Sequence, residues 1–288
     1  MLSSKLALGT AQFGLDYGIS NKSGKISQEN AVGLLSYAKN KGINTIDTAV
    51  AYGNSEQVLG SIGIDGWEII TKLPALPEGE ADIESWVDRQ IDGSLGRLGV
   101  NSVYGLLLHR PQQLLGPFGH KLIIALERLK RQGVVKKIGV SIYQPEELDL
   151  IYKVMDLDLV QSPLNILDRR LIDSGWLARL KALGVEVHAR SVFMQGLLLM
   201  SAAQRPEKFE RWQSIWIEWD RWLVSNEVDP VVACLGFALS ESFVDKIVVG
   251  VENSAQLESL IRALGVSLPK VPASISSQDL DLLNPARW

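Results

Sequence analysis

Apolar positions along the chain fall into two alternating patterns. Short apolar runs, rich in β-branched residues and without strict alternation, recur eight times, at residues 5–11, 43–48, 68–73, 103–109, 137–142, 157–162, 186–193 and 246–251. Continuous apolar character is what strands covered on both faces show. Longer stretches at helical spacing separate them. One stripe is Ala31, Leu34, Leu35 and Ala38, with Ser27 placed to cap its start and Gly42 to end it. Another runs from a cap at Asp82 through Val87, Ile91, Leu95 and Leu98 to a stop at Gly99, and Pro145 is expected at a first helical position. Strand followed by helix, eight times over, predicts parallel strands joined by right-handed crossovers. At this length the α/β solution is a closed (β/α)8 TIM barrel forming a single domain over residues 1–288. An open doubly wound sheet is the alternative, but no G-x-G-x-x-G follows an early strand.

One stretch breaks the rhythm. More than fifty residues separate Phe193 from Lys246, too many for one crossover, and Trp212, Trp216, Trp219 and Trp222 recur there on one helical face. Two readings compete: an aromatic face packed on the barrel, or a segment overhanging the mouth of the active site.

Composition narrows the function. A net charge of −4 offers no basic field for nucleic acid. Cys234 is the single cysteine, so no internal disulfide forms. No apolar run is long enough for a membrane span, and the N-terminus lacks the pattern of a signal peptide. These features predict a cytoplasmic protein acting on a small molecule, without nucleic-acid or membrane partners. Nothing in the periodicity demands a second chain, so a monomer or weak homo-oligomer is expected.

In a barrel, chemistry sits where the strands end. The predicted second strand ends in Asp47, with Tyr52 in the loop beyond it, the third in Lys72 and the fourth in His109. Singly, each has a structural explanation: a turn cap, a solvated lysine, a rim histidine, a packing tyrosine. Together they suit carbonyl reduction. Tyr52 would donate a proton to the developing alkoxide, a nearby Lys72 ammonium would lower the phenol pKa, Asp47 would hold Lys72, and His109 would orient the carbonyl. No side chain is a hydride source, so a nicotinamide cofactor is implied. No metal site is assigned.

The segments that carry these residues are Leu8-Gly9-Thr10-Ala11-Gln12-Phe13-Gly14, Gly42-Ile43-Asn44-Thr45-Ile46-Asp47-Thr48-Ala49, Tyr52-Gly53-Asn54-Ser55-Glu56, Ile70-Thr71-Lys72, Leu107-Leu108-His109 and Lys137-Ile138-Gly139-Val140-Ser141. In this ordered set the chain resembles the aldo/keto reductase superfamily, from its first strand to about Leu264. The resemblance implies a (β/α)8 barrel binding NADP(H), or less often NAD(H), across its mouth, with a catalytic tetrad at Asp47, Tyr52, Lys72 and His109. It implies cofactor contacts at Gly9, Thr10, Asp47, Ser141, Gln161, Arg190, Ser191, Phe193, Gly250, Val251 and Gln256. There are departures. Ile142 replaces a usual asparagine. Arg190 stands where many members stack an aromatic ring on the nicotinamide, and its charge would favour the neutral, reduced ring. The loop 250–256 carries Glu252 and no basic residue, with Arg262 a turn or two beyond. The family prior still puts NADP(H) ahead of NAD(H). Phe13, Asp16, Tyr17 and the C-terminal tail are candidate pocket residues. The run Gln12–Gly18 is similar to a bacterial branch associated with cell-surface sugars, pointing to a sugar-derived carbonyl. The alternatives are a non-catalytic cofactor-binding regulatory subunit of the same fold, and an aldolase-like barrel using Lys72 as a Schiff-base amine.

Overall fold

The computed structural model describes residues 2–21 and 23–288. Eight parallel strands close on themselves in sequence order. They are β1 (Leu6–Gly9), β2 (Thr45–Asp47), β3 (Glu68–Leu73), β4 (Val103–Leu108), β5 (Val135–Ser141), β6 (Leu159–Pro163), β7 (Glu186–Arg190) and β8 (Lys246–Gly250). β8 pairs with β1 in the register Gly9↔Gly250, which completes the ring. Every predicted run overlaps its strand, but β5 begins two residues before its run, at Val135, β6 ends one residue past its run, at Pro163, and other ends move inward. The first stops at Gly9 because Ala11–Gly14 coils into a helical turn, and the seventh stops at Arg190 because Ser191 turns left-handed at φ 58. Ser27 accepts from Asn30 N and Asp82 from Ser85 N, the caps read from the sequence, and Gly99 ends its helix at φ 68. Pro145 lies in a turn instead, and that helix begins at Glu147.

Outward-facing strand residues such as Leu6, Leu8 and Ile46 pack against the helices in one large core. Inside the barrel the apolar layer is thin: Ile70, Leu107 and Leu159, fully buried, with Tyr104 against them. Polar groups close it below and above. At the N-terminal end, Glu186 accepts from Tyr104 Oη at 2.7 Å, is hydrogen-bonded to His188 Nε2 at 2.6 Å, and is paired with Lys137. Burial alone would raise the Glu186 pKa, but the hydrogen bonds from His188, Lys137 and Tyr104 outweigh it and hold the carboxyl at about 2. A depressed acid stabilises the fold above its unfolded value, near 4.5, and loses that contribution as pH falls from there through about 2. Glu186→Gln is therefore expected to remove about 3 kcal/mol of pH-dependent stability over that window. Urea unfolding at pH 6 and pH 3 checks it: the two proteins' difference should shrink as pH falls, and an equal difference at both pH values would refute it.

The long excursion after β7 runs through three 3₁₀ turns, Met194–Leu199, Ala202–Gln204 and Glu207–Trp212, then the helices Gln213–Asn226 and Pro230–Ser240. Its tryptophan face is buried. Trp216 donates to Phe209 O, Trp219 to Leu198 O and Trp222 to Lys270 O, and the Trp219 and Trp222 rings stack at 5.8 Å. Packing is thus the role of the aromatic stripe. No single helix among the described residues is long and apolar enough to cross a membrane.

Candidate active site

The C-terminal ends of the strands surround a cavity of about 430 Å³. Tyr52 and His109 form one side of it, and Ser141, Gln161 and Arg190 continue the wall along β5, β6 and β7. The loop carrying Tyr52 is fixed by close backbone packing. A Cβ on Gly14 would lie 1.8 Å from Tyr52 O, and Gly53, at φ 58, would place one 2.4 Å from Gly14 O. Only glycines let those two turns nest. Ser55 completes the joint, donating to Thr10 O at 2.9 Å. Behind it, the buried Glu56 carboxylate accepts from Thr71 Oγ1 at 2.7 Å and from Arg97 Nε at 2.8 Å, tying the helix Ser55–Ile62 to β3 and to the helix Ile83–Leu98.

Lys72 lies beneath Tyr52 and is fully buried. Its ammonium donates to Asp47 Oδ1 at 2.7 Å, Asp47 Oδ2 at 2.8 Å and Thr48 O at 2.9 Å. An ammonium has three hydrogens, so all are committed. That leaves Lys72 poorly disposed to act as a free Schiff-base amine. Gln161 Nε2 donates to Asp47 Oδ2 at 2.7 Å, so the carboxylate is held from two sides. Lys72 Nζ is 5.1 Å from the Tyr52 ring centroid, and the Tyr52 and His109 rings meet edge to face at 6.0 Å.

The electrostatics differ from the sequence expectation in one respect. Lys72 is close to Tyr52, but its charge is answered by Asp47. Burial and the Asp47 carboxylate push the Tyr52 phenol above its ordinary value, with Arg190 pulling weakly the other way. Burial lowers Lys72, which Asp47 opposes. Burial, with the Lys72 and Arg190 charges, lowers His109 to about 4. At neutral pH the site therefore presents a neutral phenol and a neutral imidazole over a buried ion pair.

Of the residues expected at a cofactor, Gly9, Asp47, Ser141, Gln161, Arg190, Ser191, Phe193, Gly250, Val251 and Gln256 all line the cavity. Thr10 does not: it is fully buried behind the wall, with Oγ1 donating to Asp47 O at 3.0 Å. Tyr17 lines the cavity, whereas Phe13 is buried in the core and neither Asp16 nor the tail reaches the opening. Tyr143 was not foreseen. Its ring lies 4.5 Å from the Arg190 guanidinium, which also donates to Ile142 O at 2.9 Å. An aromatic two residues past Ser141, beyond a strand end, was the available signal. Gln195, Gly196 and Leu199, from the start of the excursion, form another part of the wall. Among the described residues, three of the four non-glycine positions with positive φ lie here, Ser191, Met194 and Gln195. Such strain concentrates beside functional sites.

The family described as "Aldo/keto reductase family" matches residues 5–275. The chain belongs to the aldo/keto reductase family. It is 27% identical to a D-threo-aldose 1-dehydrogenase from a Pseudomonas species, over 91% of this chain and 92% of that protein. It is 30% identical to a 6-dehydroglucose reductase from Agrobacterium fabrum, over 56% of this chain and 61% of that one. An aldo-keto reductase from Bacillus halodurans, solved in its holo form, superimposes with a TM-score of 0.73 at 21% identity, covering 92% and 88% of the two chains. This aldo/keto reductase is accordingly an oxidoreductase with a (β/α)8 barrel, and low-identity relatives include sugar dehydrogenases and reductases.

Proposed function

We propose that this aldo/keto reductase reduces the aldehyde or ketone of a sugar-derived or similarly polar compound to an alcohol, with Tyr52 as proton donor and a reduced nicotinamide as hydride source. The observation that carries the reading is the convergence of Tyr52 and His109 on one cavity above the buried Lys72–Asp47 pair. The cofactor fits the donor set. Gly9 and Gly250 stand side by side in register and present bare backbone to the cavity, and the Ser141 hydroxyl and Gln161 amide lie along the same wall. Ser141 and Gln161 would hold its carboxamide, and the flat Arg190 guanidinium would lie against its ring. When bound, it supplies the hydride that no side chain can.

The chain's own residues do the rest. His109, neutral above about pH 4, donates a hydrogen bond to the carbonyl oxygen and fixes its direction. Tyr52 stays protonated because its pKa is raised, which is the form a proton donor needs. An alkoxide is more basic than a phenolate, so the proton passes from Tyr52 to the oxygen as its charge develops. The phenolate left behind faces the Lys72 side chain, whose ammonium Asp47 favours against burial. The relatives that act on aldoses and dehydroglucose support a polar substrate, as does an opening that no residue of 110–119 or beyond 264 lines. Consumption of reduced nicotinamide with aldoses, keto-sugars and simple aldehydes tests this. Turnover with the polar carbonyls is expected. Bound nucleotide with no turnover on any of them would favour the non-catalytic reading.

A further inference from the structure

We infer that this site selects NAD(H) over NADP(H), through Glu252. The inference rests on the reductase reading above and reverses the order that the family prior suggests.

In a closed eight-stranded barrel β4 and β8 are diametrically opposed. His109 follows β4, and with Tyr52 it defines where the carbonyl and the reacting ring must meet. A dinucleotide is far longer than that end, so its nucleotide half must run towards the far rim. Along that direction lie the bare backbone of Gly9 and Gly250, and then Val251, Glu252, Gln256 and Ser259.

The far end carries negative charge and nothing to balance it. Glu252 lines the cavity, with one carboxylate oxygen accepting from Gln256 Nε2 at 3.4 Å and the other without a partner among the described residues. Arg262, the first basic residue after Glu252, is turned away: its side chain is 75% exposed and paired with Glu258, while Lys246 starts β8 at the opposite end of the strand and donates to Ser4 O and Asn44 Oδ1. Arg262 does not line the cavity, and among the described lining residues the only arginine or lysine is Arg190, back on β7. The start of the helix Ser254–Ala263 would favour a phosphate, but one amide of its first turn and the Glu252 amide just before it already have side-chain partners. Asn253 Oδ1 accepts from Gln256 N at 2.9 Å, and Gln256 Oε1 accepts from Glu252 N at 2.8 Å.

A ribose with free 2′- and 3′-hydroxyls donates hydrogen bonds to a carboxylate. A 2′-phosphate brings about two negative charges against it, with no guanidinium or ammonium to take them, and like charges brought together disfavour binding. The same residue thus attracts one nucleotide and repels the other.

Two nucleotides without the nicotinamide, ADP-ribose and its 2′-phosphate, isolate this end from the chemistry. Titration followed by the protein's tryptophan fluorescence should show ADP-ribose and NADH each binding about tenfold or more tightly than their 2′-phosphorylated counterparts. The gap should narrow as salt rises, because repulsion is screened and hydrogen bonding is not. In Glu252→Gln the 2′-phosphorylated ligands should gain about tenfold while ADP-ribose changes little, and circular dichroism of that exposed-loop variant checks its fold. Equal or tighter binding of the 2′-phosphates by wild type, or an unchanged ratio in Glu252→Gln, overturns the selection while leaving the reductase reading in place. Failure of every nucleotide to bind overturns both.

Discussion

Tyr52→Phe is expected to lower kcat for carbonyl reduction by about 10²–10⁴-fold, the range that a positioned general acid contributes. The ring stays, so its edge-to-face contact with His109 at 6.0 Å and its place above Lys72 are kept. Only the proton is removed. Nucleotide affinity and unfolding midpoint should therefore match wild type, and the loss should sit in kcat. A Tyr52→Phe protein with more than about a tenth of wild-type kcat would mean that another group, or water, delivers the proton.

Lys72→Met carries the largest expected effect on stability. Lys72 and Asp47 side chains are 1% and 4% exposed, and the lysine gives three hydrogen bonds. Removing one partner of such a pair leaves an uncompensated buried charge and costs about 3–5 kcal/mol. Gln161 still donates to Asp47 Oδ2, but one neutral donor does not replace an ammonium. Adding Asp47→Asn should recover a large part of the stability, because the buried charge disappears with its partner. It should recover none of the activity, because the phenolate left after proton transfer then faces no cation. Urea unfolding of both single variants and the double variant gives the coupling. A Lys72→Met protein as stable as wild type would contradict the ion pair as drawn.

The ring of eight strands was legible because strands buried on both faces leave runs rich in apolar and β-branched residues, and Val103–Leu108 is a plain example. The convergence of Asp47, Tyr52, Lys72 and His109 was legible for a topological reason: polar residues at successive strand ends must meet once the sheet closes. What lay beyond strand ends was harder. The resemblance put Thr10 at the cofactor, but β1 stops at Gly9 and the chain coils, which turns the Thr10 side chain behind the wall onto Asp47 O. Ser191, Met194 and Gln195 adopt left-handed backbone without being glycine, which no local pattern announces. The Arg190–Tyr143 contact joins the last residue of β7 to the loop after β5, 47 positions apart in number. The direction of the Tyr52 shift was misread from proximity alone. A lysine near a phenol suggests a lowered pKa, but Asp47 answers the lysine's charge and burial decides the sign.

The most direct test of the account is the pH dependence of reduced-nicotinamide consumption in a single turnover by wild-type protein given a polar aldehyde. With Tyr52 a neutral donor of raised pKa and His109 neutral above about 4, the rate should hold from near pH 5 up through the ordinary phenol value of 10.0. An alkaline fall centred well below that value, or no turnover from protein that binds the nucleotide, would contradict it.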